Sequence, residues 1–208
     1  MFVNDPVAVD VYFDFACPYV HSAASWLREV NRQLGDDPIQ VTWKFFPLEE
    51  VNAPPDADVP IWDLPPDRRS RGRDSFHAAA AARRQGREAF ERFHAELLTL
   101  KHVEEQDHGK RSTLNEAASR AGLDLARFAA DLDDRGLLTE IKNDYVAGKE
   151  ALGVFGTPTF VFANGQSAYL RILPPPPTEE AVAFWLDFVR DVRDRPYLQE
   201  IKRPRRPQ

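Results

Sequence analysis

Residues 9–26, V-D-V-Y-F-D-F-A-C-P-Y-V-H-S-A-A-S-W, constrain the fold of this chain more than any other stretch. Val7, Val9, Val11 and Phe13 alternate, and Tyr12 and Phe15 fill positions between them. The segment therefore reads as a strand apolar on both faces, inside a sheet. From Tyr19 the period changes, with Tyr19, Ala23, Trp26, Leu27 and Val30 recurring at helical spacing. Pro18 sits where a helix accepts proline best, at its first position, where no backbone N–H is needed. The turn between strand and helix is very short. It carries Cys17, the single cysteine of the chain, at or beside the helix N-cap. Unpaired backbone N–H groups and the positive end of the helix dipole converge there and favour negative charge on the sulfur. Cys17 is thus a candidate nucleophile, the alternative being a small buried hydrophobe.

Gly35, Asp36, Asp37 and Pro38 end the helix. Residues 39–46 (I-Q-V-T-W-K-F-F) then alternate, with Ile39, Val41, Trp43 and Phe45 on one face. Strand, helix, strand in so short a span predicts a βαβ unit with a parallel pair. Residues 47–67 carry six prolines, acidic residues and Trp62, and predict an irregular loop, either a surface segment or a lid anchored by Ile61 and Trp62. Residues 74–152 read as helical throughout. Gly86 separates two helices, Thr113 and Glu116 form a capping box, Gly122 is a stop, Asp124 caps a short helix ending near Gly136, and Gly153 closes the last helix. The alanines at 78–82 are ordinary helix formers. Strand character returns at residues 157–162, Asn164-Gly165 predicts a two-residue hairpin turn, and residues 166–173 supply the antiparallel partner. Pro174 to Pro177 form a spacer. Thr178 is expected to cap a final amphipathic helix with Val182, Trp185, Leu186, Val189 and Val192 on one face.

The order β-α-β, helices, β-β-α places the chain in the α/β class, a four-stranded mixed sheet with a helical block between its halves. The expected division is a core of residues 1–50 and 153–195, a proline-rich loop at 51–73, an inserted helical subdomain at 74–152 and a tail at 196–208. At 208 residues and 43% hydrophobic composition the chain can bury a substantial core. A net charge of −6 offers no electrostatic case for nucleic acid or an anionic membrane. One cysteine excludes an intramolecular disulfide and a cysteine-based metal cluster, and His77, His94, His102 and His108 have no metal-ligand spacing, so no metal is expected. The start M-F-V-N-D-P has no signal-peptide character and no stretch is apolar enough to span a bilayer. A soluble cytoplasmic protein is expected, monomer or homodimer.

F-D-F-A-C-P-Y at residues 13–19 and G-V-F-G-T-P-T-F at residues 153–160, on either side of a helical block, resemble the thioredoxin fold in its DsbA-like branch. That resemblance covers nearly the whole chain. It implies that Pro158 is a cis-proline before the third core strand, packed against the active-site cysteine, with Thr157 preceding it. F-D-x-x-C-P followed by S-W-L-R-E-V is also similar to the actinobacterial mycothiol-dependent nitroreductase group. The layout is similar too to 2-hydroxychromene-2-carboxylate isomerase and kappa-class glutathione transferase, which carry serine at the position of Cys17 and bind glutathione there.

A dithiol oxidoreductase of this family uses C-x-x-C, whereas this chain has Val20 at the fourth position. Without a second cysteine nothing in the chain can release a mixed disulfide internally. Two chemistries remain. One is a monothiol cycle with a low-molecular-weight thiol, mycothiol or glutathione, the partner being a small thiol or disulfide. The other is a transferase or isomerase in which the same helix N-terminus holds a cofactor thiolate. A non-catalytic peptide-binding module is the reading from a different class. Cys17 is the expected catalytic residue, with Pro18, Tyr19, Thr157 and Pro158 as binding residues. Asp14, a possible proton relay, is expected to be solvated at a strand end, and His21 to lie on the exposed or insertion-facing side.

Overall fold

A computed structural model describes residues 6–35, 38–54 and 59–202. The expectations that rest on residues 1–5, Asp36, Asp37, Pro55 and the end of the tail lie outside the described residues. Strand β1 (Val7–Phe13) leads through a short turn to α1 (Pro18–Leu34) and β2 (Ile39–Phe45). Five longer helices follow a short one: α2 (Leu48–Val51), then α3 (Arg71–Arg83), α4 (Arg87–His102), α5 (Arg111–Arg120), α6 (Leu125–Asp131) and α7 (Leu138–Val146). The chain closes with β3 (Thr159–Phe162), β4 (Ser167–Tyr169) and α8 (Ala181–Val192). The sheet order is β2-β1-β3-β4, with β1 parallel to β2 and antiparallel to β3, and β3 antiparallel to β4. β1 is therefore interior, as its two-sided apolar sequence requires.

Strand alternation sends Val9, Val11 and Phe13 to one face of the sheet and Tyr12 to the other. Phe13 meets Phe15 and Trp43 edge-on, and the same ring touches Phe76 of α3 at 5.5 Å and His94 of α4 at 4.7 Å. The helices between β2 and β3 thus share one hydrophobic core with the sheet. On the other face Tyr12 packs against Phe46 and against Gly148, where a β-carbon would stand 2.5 Å from the ring. Gly148 lies in a π-helical turn, Ala147–Ala151, that follows α7, so the helix expected to continue to Gly153 changes winding at the point of closest approach to β1. Gly153 then leaves the turn at φ +66°. Trp26 of α1 is buried under α8, 4.8 Å from the Phe184 ring and 5.8 Å from that of Trp185, and its Nε1–H donates to the Ala181 carbonyl at 2.9 Å.

Several local expectations need correction. Thr113 does not cap α5, which begins at Arg111 after Lys110. An Asp107 side chain holding the Gly109 N–H at 3.1 Å forms the turn before it, and Thr113 is buried inside the helix, donating to Gln106 Oε1. α3 starts at Arg71 because Ser70 caps it, accepting from the Arg73 N–H, and Glu49 accepts from Ser70 Oγ and the Gly72 N–H. The proline-rich loop is therefore pinned at its far end, and Ile61 and Trp62 are buried, Trp62 against the Tyr145 ring at 5.4 Å. The hairpin loop has three residues, 163–165, because Phe162 donates to the Gln166 carbonyl and Gly165 takes φ +82°. Strand pairing covers only Thr159–Phe162 and Ser167–Tyr169. Thr178 opens a 3-10 turn, Thr178–Glu180, and does not cap α8. Leu186 faces outward, while Trp185, Phe188 and Val189 are buried.

Asp14, expected in solvent, is 2% exposed. Its carboxylate accepts from the Ala16 N–H and the Leu48 N–H, each at 2.6 Å, and so ties the turn after β1 to the start of α2. Burial, opposed by these two hydrogen bonds, pushes its pKa up to about 6.

Two predictions follow from this packing. Trp26→Phe keeps most of the ring volume but removes the Nε1–H donor to the Ala181 carbonyl, which keeps its place as an acceptor within α8, and should cost about 0.5–1.5 kcal/mol in urea denaturation. Asp14 binds its proton more tightly folded than unfolded. Its contribution to stability is therefore full below about pH 4 and is lost as pH rises to about 6, a swing of roughly 3 kcal/mol. Melting temperatures measured between pH 7 and 4.5 should rise relative to Asp14→Asn as pH falls, because the variant lacks this titration.

Candidate active site

The local sequence places Cys17 before any tertiary contact does. β1 ends at Phe13, the Cys17 N–H donates to the Asp14 carbonyl at 3.1 Å to close the turn, and Pro18 starts α1 with Cys17 as its N-cap. The Cys17 carbonyl accepts from the Val20 and His21 N–H groups at 3.1 and 3.4 Å. Its side chain accepts no capping hydrogen bond. The sulfur faces across the sheet, and the thiol donates to the Thr157 carbonyl at 3.3 Å. The expectation that helix N–H groups converge on the sulfur is therefore corrected. Pro18 brings no N–H, and the next turn's N–H groups serve the Cys17 carbonyl. Cys17 is 5% exposed.

Thr157 lies just before β3, and the Thr157–Pro158 peptide bond is cis. The Leu170 N–H donates to the Pro158 carbonyl at 3.1 Å, so β4 closes over this bend. Thr157 Oγ1 is buried without a partner in the structure. Thr159 Oγ1 donates to the Gly156 carbonyl at 2.7 Å and braces the loop that precedes the bend. A second cis bond, Leu173–Pro174, ends the segment after β4. Cys17, Pro18, Thr157 and Pro158 are thus gathered at one end of the sheet.

Tyr19, the fifth of the predicted site residues, is half-buried beside them. Arg171 donates to its hydroxyl, and the guanidinium lies 4.0 Å from the centre of its ring, a cation–π contact. Tyr169 is the next neighbour. It sits opposite Thr159 in the β3–β4 register, its ring meets Phe155 at 5.0 Å, and burial pushes its hydroxyl pKa up. Tyr169, Arg171 and the exposed ring of Phe155 were not singled out from sequence. The signal was present in the hairpin: a turn at residues 163–165 sets Tyr169 against Thr159 and leaves Arg171 two positions further on the same side.

The histidines fall elsewhere. His21 stacks on His102 of α4 at 5.4 Å, the insertion-facing position expected for it, and burial lowers the pKa of both. His102 Nε2–H donates to the Phe15 carbonyl at 2.9 Å, which holds the far side of the Cys17 turn. His77 Nε2 contacts the Asp134 carbonyl, His108 is buried, and His94 is buried in the aromatic core. Among the described residues no group of three or more His, Cys, Asp or Glu side chains is arranged to hold a metal ion, and no helix is long and apolar enough to cross a membrane.

The architecture is shared with solved structures. The cytosolic disulfide reductase DsbM of Pseudomonas aeruginosa, determined with GSH, superposes with a TM-score of 0.59 at 15% identity over 88% of this chain and 100% of that one. The oxidoreductase DsbA of Xylella fastidiosa superposes at 0.57 and 15% identity, over 94% and 89%. At such identities the likeness speaks for the fold. The uncharacterized protein Rv2286c of Mycobacterium tuberculosis is 28% identical over 199 residues, 96% of this chain and 83% of that protein. The Na(+)/H(+) antiporter NhaA 1 of Salinispora arenicola is 35% identical over 161 residues, 77% of this chain. This chain matches only 20% of that antiporter's length. The pattern of the DSBA-like thioredoxin domain matches residues 8–175. A match of that extent, on a thioredoxin-fold sheet with Cys17 at the first strand-to-helix turn, means that the chain belongs to the DSBA-like thioredoxin domain family.

Proposed function

We propose that this protein is a thiol–disulfide oxidoreductase that works as a monothiol through Cys17, with a low-molecular-weight thiol as the second reactant. The observation that carries this reading is the pairing of the sole cysteine, at the N-cap of α1, with the Thr157 carbonyl beside the cis Thr157–Pro158 bond, while Val20 occupies the position of a resolving cysteine. The Cys17 thiolate attacks the mixed disulfide between a substrate thiol and the small thiol, and the substrate leaves as its thiolate. A second molecule of small thiol, as thiolate, attacks the Cys17 adduct, frees the Cys17 thiolate and departs as the symmetric small-molecule disulfide. The substrate gains two electrons and the small thiol loses them.

In this cycle Cys17 is the nucleophile. Pro18 gives the helix a start without an N–H of its own, and Thr157 with Pro158 supplies an extended edge along which a substrate or a thiol's peptide portion aligns. Tyr19 and Arg171 form the polar rim of the same mouth, and the Arg171 guanidinium offers a cation to a carboxylate on the small thiol. Glutathione and mycothiol are both suited to the role. The resemblance of the F-D-x-x-C-P and S-W-L-R-E-V segments to the mycothiol-dependent group favours mycothiol, and the GSH present in a solved structure of similar fold makes glutathione a practical probe. We place the reaction in the cytoplasm, where small thiols are abundant and reduced.

Intact-mass measurement after incubation with oxidised glutathione and oxidised mycothiol tests the cycle. The expected result is a single adduct on Cys17, removed by the free thiol and absent from Cys17→Ser. No adduct with either disulfide would overturn the monothiol cycle. Turnover of a chromene or nitroaromatic substrate without any adduct would point instead to the transferase or isomerase reading of the same site.

A further inference from the structure

At the mouth beside Cys17 the fold gathers Tyr19, Tyr169 and Arg171. Arg171 donates to the Tyr19 hydroxyl oxygen, and its guanidinium lies 4.0 Å from the centre of the Tyr19 ring. That hydrogen bond raises the Arg171 pKa, and the charges of Tyr169, Tyr19 and Cys17 add to it, so the guanidinium lies within electrostatic reach of the sulfur. Tyr169 completes the ring of contacts. Its side chain lies on Gly156, where a β-carbon would stand 3.2 Å away, and Gly156 precedes the Thr157 carbonyl that accepts from the Cys17 thiol.

Thiol–disulfide exchange at Cys17 expels a thiolate, and a basic alkyl thiolate leaves more slowly than an acidic one. A proton donor at the departing sulfur removes that handicap. The other titratable groups around the turn are engaged elsewhere. Both Asp14 oxygens accept backbone N–H groups, from Ala16 and Leu48. His102 donates to the Phe15 carbonyl on the far side of the turn, with His21 stacked on it. Burial raises the Tyr169 pKa, which disfavours loss of its proton. Tyr19 differs from all of these. Its oxygen accepts from Arg171, its O–H has no acceptor among the described residues, and the guanidinium faces the oxygen that carries negative charge once the proton has gone.

Resting on the monothiol reading, we propose that Tyr19 is a catalytic proton shuttle for the sulfur that leaves and the sulfur that enters, with Arg171 as its positioning residue. The Cys17 thiolate bonds to the small-thiol sulfur of the mixed disulfide, the S–S bond breaks, and the departing substrate sulfur takes the Tyr19 proton and leaves as a thiol. The second small thiol returns a proton to the Tyr19 phenolate and, as thiolate, attacks the Cys17 adduct, which frees the Cys17 thiolate and releases the symmetric disulfide. The proton gained by the substrate is replaced by the one the small thiol gives up. Ordinary pKa values of about 10 for a phenol and about 8.5 for a thiol are close enough for the proton to pass in either direction.

Two uncharged disulfides, reacted with the reduced full chain and followed by stopped flow and intact mass, test the shuttle. Hydroxyethyl disulfide expels a basic alkyl thiolate, and dithiodipyridine expels a group that is stable without a proton on sulfur. Tyr19→Phe keeps the ring beneath Arg171 and removes the hydroxyl. It is expected to slow hydroxyethyl disulfide at least about tenfold relative to dithiodipyridine, with circular dichroism and melting temperature held. Across a series of aryl and alkyl disulfides, the rate should depend more steeply on leaving-thiol acidity in Tyr19→Phe than in the unsubstituted protein, a change that a packing role for Tyr19 does not produce. Arg171→Met should lower the same rate ratio by a smaller factor. An unchanged ratio in Tyr19→Phe, with adducts still formed on Cys17, would overturn the shuttle and leave the monothiol cycle standing. A fall in the ratio in Tyr169→Phe but not in Tyr19→Phe would overturn it in favour of Tyr169. Failure of the unsubstituted protein to form an adduct with either disulfide would overturn the monothiol cycle itself, and the shuttle with it.

Discussion

A hydrogen bond from the Cys17 thiol to the Thr157 carbonyl joins the two halves of the sheet across 140 residues of intervening chain. It forms because β1 and β3 are neighbours: β1 is buried in the core, so its backbone N–H and C=O groups are paired on both edges, by β2 on one side and β3 on the other. The antiparallel register sets Tyr12 opposite Thr159, which brings the start of β3 to the end of β1 where the cysteine turn begins. The contact is one the thiol makes and a thiolate cannot, since the carbonyl oxygen offers no hydrogen. Attack by Cys17 therefore requires the sulfur to leave this acceptor, and an incoming disulfide has to reach a group that is nearly buried.

The turn carrying Cys17 is held from three sides. Asp14 gathers the Ala16 and Leu48 N–H groups, His102 of α4 donates to the Phe15 carbonyl, and the Cys17 carbonyl anchors the first turn of α1. Two of these partners come from outside the strand-turn-helix unit. The helices between β2 and β3 are thus part of the support of the site as well as of the core, through Phe76 and His94 packed on Phe13. A buried carboxylate and a buried imidazole are unfavourable in isolation, and their retention here goes with backbone N–H groups and aromatic neighbours that hold each in place.

Much of the fold was legible because it is written in short-range pattern. The alternation of Ile39, Val41, Trp43 and Phe45, the change of period after Cys17 and the glycines at 86, 122 and 153 locate strands and helices without reference to the rest of the chain. Local signals misled where tertiary contacts compete with them. Thr113 and Glu116 have the spacing of a capping box, but the turn at Asp107 starts α5 earlier and buries Thr113. The Asn164-Gly165 pair does mark a hairpin, but the loop takes a third residue to let Gly165 adopt its positive φ.

The candidate site divides in the same way. The sequence by itself determined that one cysteine sits at the end of a buried strand ahead of a proline-started helix, and that Val20 leaves it without a partner thiol, because both are facts of covalent order and local backbone preference. Only the tertiary structure decided where the sulfur points, that Asp14 is buried, and that Tyr169 and Arg171 stand beside Tyr19. Those outcomes depend on strand register and on which backbone groups remain unsatisfied after the sheet and helices pair. Hydrogen bonds between residues more than a hundred positions apart leave no periodic trace in a sequence.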